Sequence, residues 1–233
     1  FSKSNGNFFD VFEKLNSKIT INFNTIYITN EDYLTNFKAD MIVNNNQIKD
    51  LILSSRFATK EDLKLSIKTN SNNERITDLF AGNAKPLVKK YDFIKGFEGG
   101  YLKFDSIEKD KVSNSNLKIF DFKLKEVPAL TKLLTLASLQ GIADLLTGEG
   151  IRFNEFEMIF NNKAGLMTIE EIYSLGPSIS ILMDGYIQKD DLVSLRGTLV
   201  PATTVNKVIG AIPLIGDILV GKKAGEGVFG VSF

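Results

Sequence analysis

Acidic side chains stand in close pairs at three places in this sequence, and their type and spacing could support chemistry. The pairs are Glu155 with Glu157, Glu170 with Glu171, and Asp190 with Asp191. General acid-base catalysis requires two carboxyl groups that face each other across a cleft and have separated pKa values. Residues 155 and 157 would share one strand face, and residues 190 and 191 would lie in a turn. This placement favours solvated surface carboxylates, so we predict no catalytic residues.

The composition narrows the possible functions further. The chain of 233 residues contains neither histidine nor cysteine, which excludes ordinary zinc sites, Ser-His-Asp triads and thiol nucleophiles. An enzyme that uses carboxylates or lysine remains possible, but the sequence favours a protein that is not an enzyme and that needs no metal and no cofactor. The 28 basic and 28 acidic residues give zero net charge without a long run of one sign, which disfavours nucleic acid as a partner.

A glycine-bounded segment, Gly216 to Lys223, is one residue short of a phosphate-binding loop. Lys223 stands where the magnesium-binding Ser or Thr would be required, and helical sequence precedes the segment where a strand is needed. The segment is better explained as a helix with two lysines at its C-terminal end, where positive charge is favoured. Nucleotide binding is therefore not predicted.

Most of the chain has the period-two pattern of β-strands that are apolar on one face and polar on the other. The sequence predicts strands over Gly100 to Ile107 and Leu117 to Lys125, joined by a charged turn from Glu108 to Asn116, and then a four-strand meander from Ile151 to Val200. The predicted fold is mainly β (α+β), an antiparallel meander that forms an elongated curved sheet or groove. Apolar helices would be docked inside it or at its end.

The apolar stripe of these strands has two interpretations. It could be the ordinary closed core of a sandwich or barrel, or it could be a curved sheet whose apolar face stays open to acyl chains. For the open sheet, the candidate lipid-binding residues are Phe37, Ala39, Met41, Leu63, Leu65, Ile67, Ile179, Ile181, Met183 and Ile187. Composition does not separate the two interpretations.

Three apolar segments are predicted to be helices that lead through glycines into a strand: Ile76 to Val88, Leu130 to Leu146, and Val205 to Val220, which Pro213 breaks. The segment from Ala129 to Leu146 comes nearest to a membrane span, but polar residues interrupt it and we predict a buried helix. The last segment would plug the end of the groove or contact a membrane surface. Its candidate residues are Ile212, Leu214, Ile215, Ile218 and Leu219.

We divide the chain into two predicted domains. Residues 1–110 form a β-rich groove segment with one short helix. Residues 111–233 form a C-terminal module that contains a strand, the long apolar helix, the four-strand meander, the broken terminal helix and a final strand. Because the chain starts at Phe1 and stops within an apparent strand, we expect it to be a piece of a longer protein.

From Val127 onward, several separated short motifs resemble the C-terminal region of the AsmA-like family, in particular its long, bridge-like members. The motifs are Pro128-Ala129-Leu130, Ala137-Ser138-Leu139 with Gly141, Gly148-Glu149-Gly150-Ile151, Gly185-Tyr186-Ile187, Leu199-Val200-Pro201-Ala202, and Ile212-Pro213-Leu214-Ile215-Gly216 with Gly225-Glu226-Gly227. They fall in one order and cover about half of the chain. At Ala202 and Thr203 the sequence departs from the aromatic residue of many relatives.

The resemblance implies a lipid-transport protein of the Gram-negative cell envelope with a role in outer-membrane biogenesis. It would lie in the periplasm, anchored in the inner membrane by a segment outside this chain, and carry phospholipid along a repeating β-groove with an apolar interior. It implies no catalytic residues. The alternative is an envelope assembly or interaction scaffold with a closed β core, and the sequence indicates no particular protein partner for either.

Overall fold

A computed structural model describes residues 16–44, 47–91, 96–125, 131, 148–188, 192–201 and 229–232. The described part of the chain is mainly β, with one short helix, α1 (Lys85–Tyr91). The strands are β1 (Ser17–Tyr27), β2 (Tyr33–Asn44), β3 (Gln47–Phe57), β4 (Asp62–Thr69), β5 (Arg75–Ala81), β6 (Phe97–Lys109), β7 (Val112–Leu124), β8 (Ile151–Lys163), β9 (Leu166–Leu175), β10 (Ile179–Gln188), β11 (Val193–Pro201) and β12 (Phe229–Ser232).

All the strands belong to one antiparallel sheet whose spatial order is the order of the sequence. Each strand pairs with its neighbours in the chain, and the sheet is not closed: β1 and β12 are its two edges. The strands on either side of residue 110, β6 and β7, form one hairpin that is paired up to Lys109 and Val112. In the described residues, no helix has both the length and the apolarity to span a bilayer.

The two ends of the strands differ in the connections they carry. Short connections follow β2, β4, β6, β8 and β10 at one end, which we name the turn end. The longest connections follow β5, β7 and β11, and they comprise residues 82–96, 125–150 and 202–228. Because the sheet is an antiparallel meander, all three leave from the opposite end, which we name the helix end.

The sheet has an apolar face and a polar face, as the alternating sequence predicts. On the apolar face, a row of directly paired residues crosses nine strands from β2 to β10, and we name it the central row. Its members are Ala39, Leu53, Leu65, Leu79, Phe104, Leu117, Met158, Ile172 and Met183. The polar face carries the intervening residues, such as Lys64 and Lys103.

Most of the buried core lies on the apolar face towards the helix end. Its members come from β2 to β8, from β10 and β11, and from α1 and the residue before it, and they include the fully buried Ile151, Phe153 and Ile179. Val88 of α1 is 3% exposed within this core. The sheet therefore buries its apolar face most completely where the long connections leave.

Two glycines let β6 keep its buried residues on one face. Phe97 and Leu102 are both buried although they are an odd number of residues apart, so the alternation must slip between them. Gly99 and Gly100 have φ values of 72° and 77°, in the region that glycine adopts most easily. Phe97 consequently stacks on Phe122 with ring centroids 5.2 Å apart.

Two expectations from the sequence were wrong. Residues Ile76 to Ala81 are part of β5, and the helix predicted from Ile76 to Val88 is confined to α1. Apolar residues on both faces of β5 imitate the spacing of a helix. The predicted turn from Glu108 to Asn116 is also wrong, because β6 and β7 pair up to Lys109 and Val112 and only Asp110 and Lys111 form the turn. Polar residues on both faces of these strand ends imitate a loop.

Candidate functional site

The ten predicted lipid-binding residues all lie on the apolar face. Ala39, Leu65 and Met183 belong to the central row. Leu63 and Ile181 are the next residues of this face after Leu65 and Met183 towards the helix end. The other members lie on the same face because the side chains of a strand alternate between its two faces: Phe37, Met41, Ile67, Ile179 and Ile187. Side chains 146 residues apart in the sequence, such as Phe37 and Met183, thus share one continuous surface.

Burial divides the ten residues into two groups. Five are buried: Ala39 (2% exposed), Leu63 (7%), Ile67 (7%), Ile179 (0%) and Ile181 (9%). The other five are half-buried: Phe37, Met41, Leu65, Met183 and Ile187. Only the second group leaves apolar surface accessible, so a ligand on this face would contact those residues first.

The central row supplies further accessible apolar surface between these positions. Leu53, Leu79, Phe104 and Leu117 are half-buried and pack against the core at the helix end. Leu53 and Leu65 also pack on a second small cluster of Ala39, Leu51 and Ile67. Apart from the buried Ala39 and Ile172, the row therefore forms a band of partly accessible side chains across the middle of the sheet.

The apolar face becomes polar near the turn end of β5, β6 and β7. The residues that follow the central row towards this end are Arg75, Thr77, Ser106, Glu108, Ser113 and Ser115, and we name them the polar patch. Ser115 is 7% exposed and its hydroxyl donates to Oγ of Ser106 at 2.8 Å. The sequence did not predict this patch, because Glu108, Ser113 and Ser115 were assigned to a turn and Thr77 to a helix.

Arg75 and Glu108 form the charged part of the polar patch. They are directly paired on β5 and β6, and Nη1 of Arg75 lies 3.6 Å from Oε2 of Glu108. This separation exceeds a normal hydrogen bond. The Nε atom of Arg75 is buried and has no hydrogen-bond partner among the described residues. The alternation of β5, with Leu79 and Thr77 on the same face, is the signal that would have located Arg75.

The carboxylate pairs of the sequence lie elsewhere. Glu155 and Glu157 are on the polar face of β8, where Glu157 binds Lys118 at 2.9 Å and accepts a hydrogen bond from Asn116 at 2.8 Å. Burial raises the pKa of Glu157, but the hydrogen bonds from Lys118 and Asn116 outweigh it and hold that pKa below its ordinary value. Glu170 and Glu171 are exposed on β9, and Asp190 and Asp191 lie outside the described residues.

A shallow groove of about 470 Å³ crosses β3 to β6. Eight of its twelve lining residues belong to the polar face, which places it opposite the candidate lipid-binding face. Asp78 and Asp105 stand in it with Lys64 and Lys103, so its charges balance. In the described residues, no group of three or more carboxylates has the arrangement of a metal site.

The proposed groove plug lies outside the described residues, as does the Gly216 to Lys223 segment. The same is true of the predicted buried helix from Leu130 to Leu146, apart from Thr131. These predictions therefore remain predictions.

Comparisons of the chain with models of protein families, with curated proteins and with solved structures find no match. The resemblance to the AsmA-like family consequently stays a prediction, and the function has to be argued from the sheet itself.

Proposed function

We propose that this protein is a non-enzymatic carrier of phospholipid, in which the sheet curves into a groove and acyl chains lie along its apolar face. The observation that carries the proposal is the central row, in which nine paired apolar residues cross the sheet from β2 to β10. Each methylene group removed from water contributes about 0.8 kcal/mol, so such a surface can hold an acyl chain without specific polar contacts.

The distribution of polarity along the strands supports an amphiphilic ligand. From Leu79 in the central row to Arg75 in the polar patch is four residues of one strand, or about 13 Å at the rise of an extended chain. A phospholipid has the same order of groups, with acyl chains beside a charged headgroup. The apolar face therefore offers matching surfaces to both halves of the molecule.

The cellular setting of the proposal comes from the resemblance to the AsmA-like family. By that resemblance, the protein would lie in the Gram-negative periplasm, anchored in the inner membrane through a segment outside this chain, with lipid moving between the two membranes. Helices from the long connections would dock at the helix end, and Ile212, Leu214, Ile215, Ile218 and Leu219 would plug the groove or contact a membrane there.

Photo-crosslinking tests the proposal directly. The photoreactive residue benzoylphenylalanine would replace Leu65 or Phe104 on the apolar face, and Ser66 or Lys103 on the polar face as matched controls one residue away. The purified chain would be irradiated with vesicles of phosphatidylethanolamine and phosphatidylglycerol, and lipid adducts would be counted by mass spectrometry. We expect several times more adducts at Leu65 and Phe104. Equal labelling of the two faces would contradict the proposal.

The second candidate is an envelope assembly scaffold with an ordinary β core, and the burial of half the predicted lipid-binding residues favours it. Because the chain contains no cysteine, a single introduced cysteine would be the only thiol, and its rate of reaction with a maleimide would distinguish an open groove from a sealed core. In an open groove, cysteine at Leu65 or Phe104 would react with a maleimide nearly as fast as cysteine at Ser66. In a sealed core, it would react only after unfolding.

A further inference from the structure

The polar face of β2 to β7 carries two neighbouring rows of opposite charge. Each row consists of directly paired residues, and the two rows lie two residues apart along every strand. The row nearer the turn end, which we name the acidic row, comprises Asp40, Ile52, Ser66, Asp78, Asp105 and Asn116. The row nearer the helix end, which we name the basic row, comprises Lys38, Ser54, Lys64, Phe80, Lys103 and Lys118. The shallow groove lies between the two rows.

Both rows place like charges side by side within one subunit. Asp78 is directly paired with Asp105, and Lys103 is directly paired with Lys118. Like charges in such positions destabilise a sheet. In the part of the chain that the structure describes, Asp78, Asp105 and Lys103 form no ion pair. A partner of complementary charge on this face would therefore offset a cost that the subunit alone leaves standing.

The same face also exposes apolar side chains. Ile52 is 60% exposed, Ile107 is 50% exposed and Ile42 is 39% exposed. All three lie on the polar face by the alternation of their own strands. A partner that covered this face would thus remove apolar surface from water in addition to pairing its charges.

A second copy of the chain has the charges that match this face. A two-fold axis that follows the groove across the strands would turn one polar face onto the other and lay the acidic row on the basic row of the partner. Residues at equal distances from the axis on one strand would then face each other between the copies. The charged pairs that result are Asp40 with Lys38, Asp50 with Arg56, Lys68 with Asp62, and Asp105 with Lys103. A two-fold axis parallel to the strands would instead place the acidic row on itself, so the charges select one arrangement.

The area of this face is sufficient for a stable dimer. Six strands and four rows of residues cover about 29 Å by 27 Å, or about 800 Å² on each copy, which is the usual size of a specific interface. Facing sheets pack about 10 Å apart, a distance that a lysine and an aspartate bridge with their side chains. Ile107 would meet Tyr101 of the partner beside these charges.

We propose that two copies of this chain pack their polar faces together around this two-fold axis, with Asp105 of each copy paired with Lys103 of the other. The inference goes beyond the carriage of lipid and does not depend on it. The apolar face of each copy would remain free on the outside of the dimer.

Sedimentation equilibrium of the purified chain tests the proposal. We expect a dimer whose dissociation constant rises with salt, because salt screens exposed charges. Asp105→Lys or Lys103→Asp should each weaken the dimer about thirtyfold, because the symmetry converts two attractions into two repulsions. The control is Glu171→Lys, which reverses an exposed carboxylate on β9, outside the two rows, and it should leave the dissociation constant unchanged.

Exchanging the two charges separates the proposed contact from a general effect of mutation. A chain that carries both Asp105→Lys and Lys103→Asp should dimerise like the parent, because each new charge again faces its opposite. Both single reversals also remove a like-charge contact within the subunit, with Asp78 or with Lys118. The isolated subunits should therefore unfold at or above the parental temperature, so that a weaker dimer is not a sign of misfolding.

Mixing the two single variants gives the most specific result. The Lys103→Asp chain presents two carboxylates to the two ammonium groups of the Asp105→Lys chain, so native mass spectrometry of the mixture should show a mixed dimer in excess of either dimer of one variant. A parent chain that stays monomeric at every concentration would overturn the proposal. A dimer that neither reversal weakens, or a mixture without mixed dimers, would overturn it as well.

Discussion

Asp78 and Asp105 stand directly opposite each other on β5 and β6, on the polar face of the sheet. Like charges in this position destabilise a sheet. Partial burial and the negative charge of Asp78 hold the pKa of Asp105 above its ordinary value of 3.8. The stabilising contribution of protonated Asp105 is therefore complete below pH 3.8 and is lost as the pH rises through the raised pKa.

Asp78→Asn should raise the free energy of unfolding at pH 7 by about 0.5 kcal/mol, because it removes a like charge from a cross-strand pair. The gain should vanish near pH 3, where Asp105 is protonated in both proteins. Thermal unfolding at the two pH values measures it. Asp50→Asn is the matched control, since Asp50 faces Lys68 and its neutralisation should give no gain. Equal shifts in the two variants would disprove the explanation by charge.

Glu157→Gln should lower the free energy of unfolding at pH 7 by about 1 kcal/mol, because it removes a charge-assisted hydrogen bond. The pKa of Glu157 is held below 4.5, so its contribution is present above that pH and is lost as the pH falls through the lowered pKa. Urea unfolding at pH 7 and pH 2.5 checks both parts. The exposed Lys64 and Asp62 pair, at 3.0 Å, provides the control: Lys64→Gln should change stability little at either pH.

Gly99 and Gly100 have nearly the same φ, so alanine substitutions at the two positions differ mainly in the space around the added Cβ. Both have positive φ, so alanine at either position should cost about 1 kcal/mol in backbone strain. A Cβ on Gly100 would lie 2.9 Å from the carbonyl oxygen of Phe120, whereas on Gly99 its nearest neighbour is 3.6 Å away. Gly100→Ala should therefore cost a further 1 kcal/mol or more, in the range of about 1–3 kcal/mol typical of overpacking. Equal unfolding midpoints for the two variants would contradict this packing.

Val88→Ala should destabilise the protein by about 2 kcal/mol, because it removes two buried methyl groups and leaves a cavity in the core at the helix end. Lys90→Ala on the same helix is the control, since Lys90 is exposed. Urea unfolding of the two variants gives the difference. If both variants unfold at the parental midpoint, α1 does not seal this end of the sheet.

Much of the sheet could be predicted from the sequence, because apolar and polar residues alternate along an antiparallel strand that buries only one face. The strands around Ala39, Leu65 and Ile181 were placed on the correct faces for this reason. The prediction failed where the two faces resemble each other. Phe80 is half-buried on the polar face, where its ring centroid lies 6.4 Å from that of Tyr101. Because this apolar residue stands on the polar face, the apolar residues of β5 have the spacing of a helix.

The polar patch could not be predicted for a related reason. Glu108, Ser113 and Ser115 belong to a stretch that is mostly polar on both faces, which one sequence does not distinguish from a turn, and Thr77 lies in a strand whose apolar residues have the spacing of a helix. Arg75 and Glu108 come together through a pairing across 33 residues. That pairing depends on the register of β5 with β6. Gly99 and Gly100 lie outside the part of β6 that pairs with β5, so they do not shift this register.

The strictly sequential order of the strands also bears on how the chain folds. Each strand pairs only with its neighbours along the chain, so no pairing skips a strand and the relative contact order is lower than in a sheet of the same size with crossover connections. Low contact order correlates with fast folding. Formation can start at any hairpin and spread in both directions, as in repeat proteins. Hairpins could consequently be gained or lost at β1 or β12 during evolution without rethreading the rest of the chain.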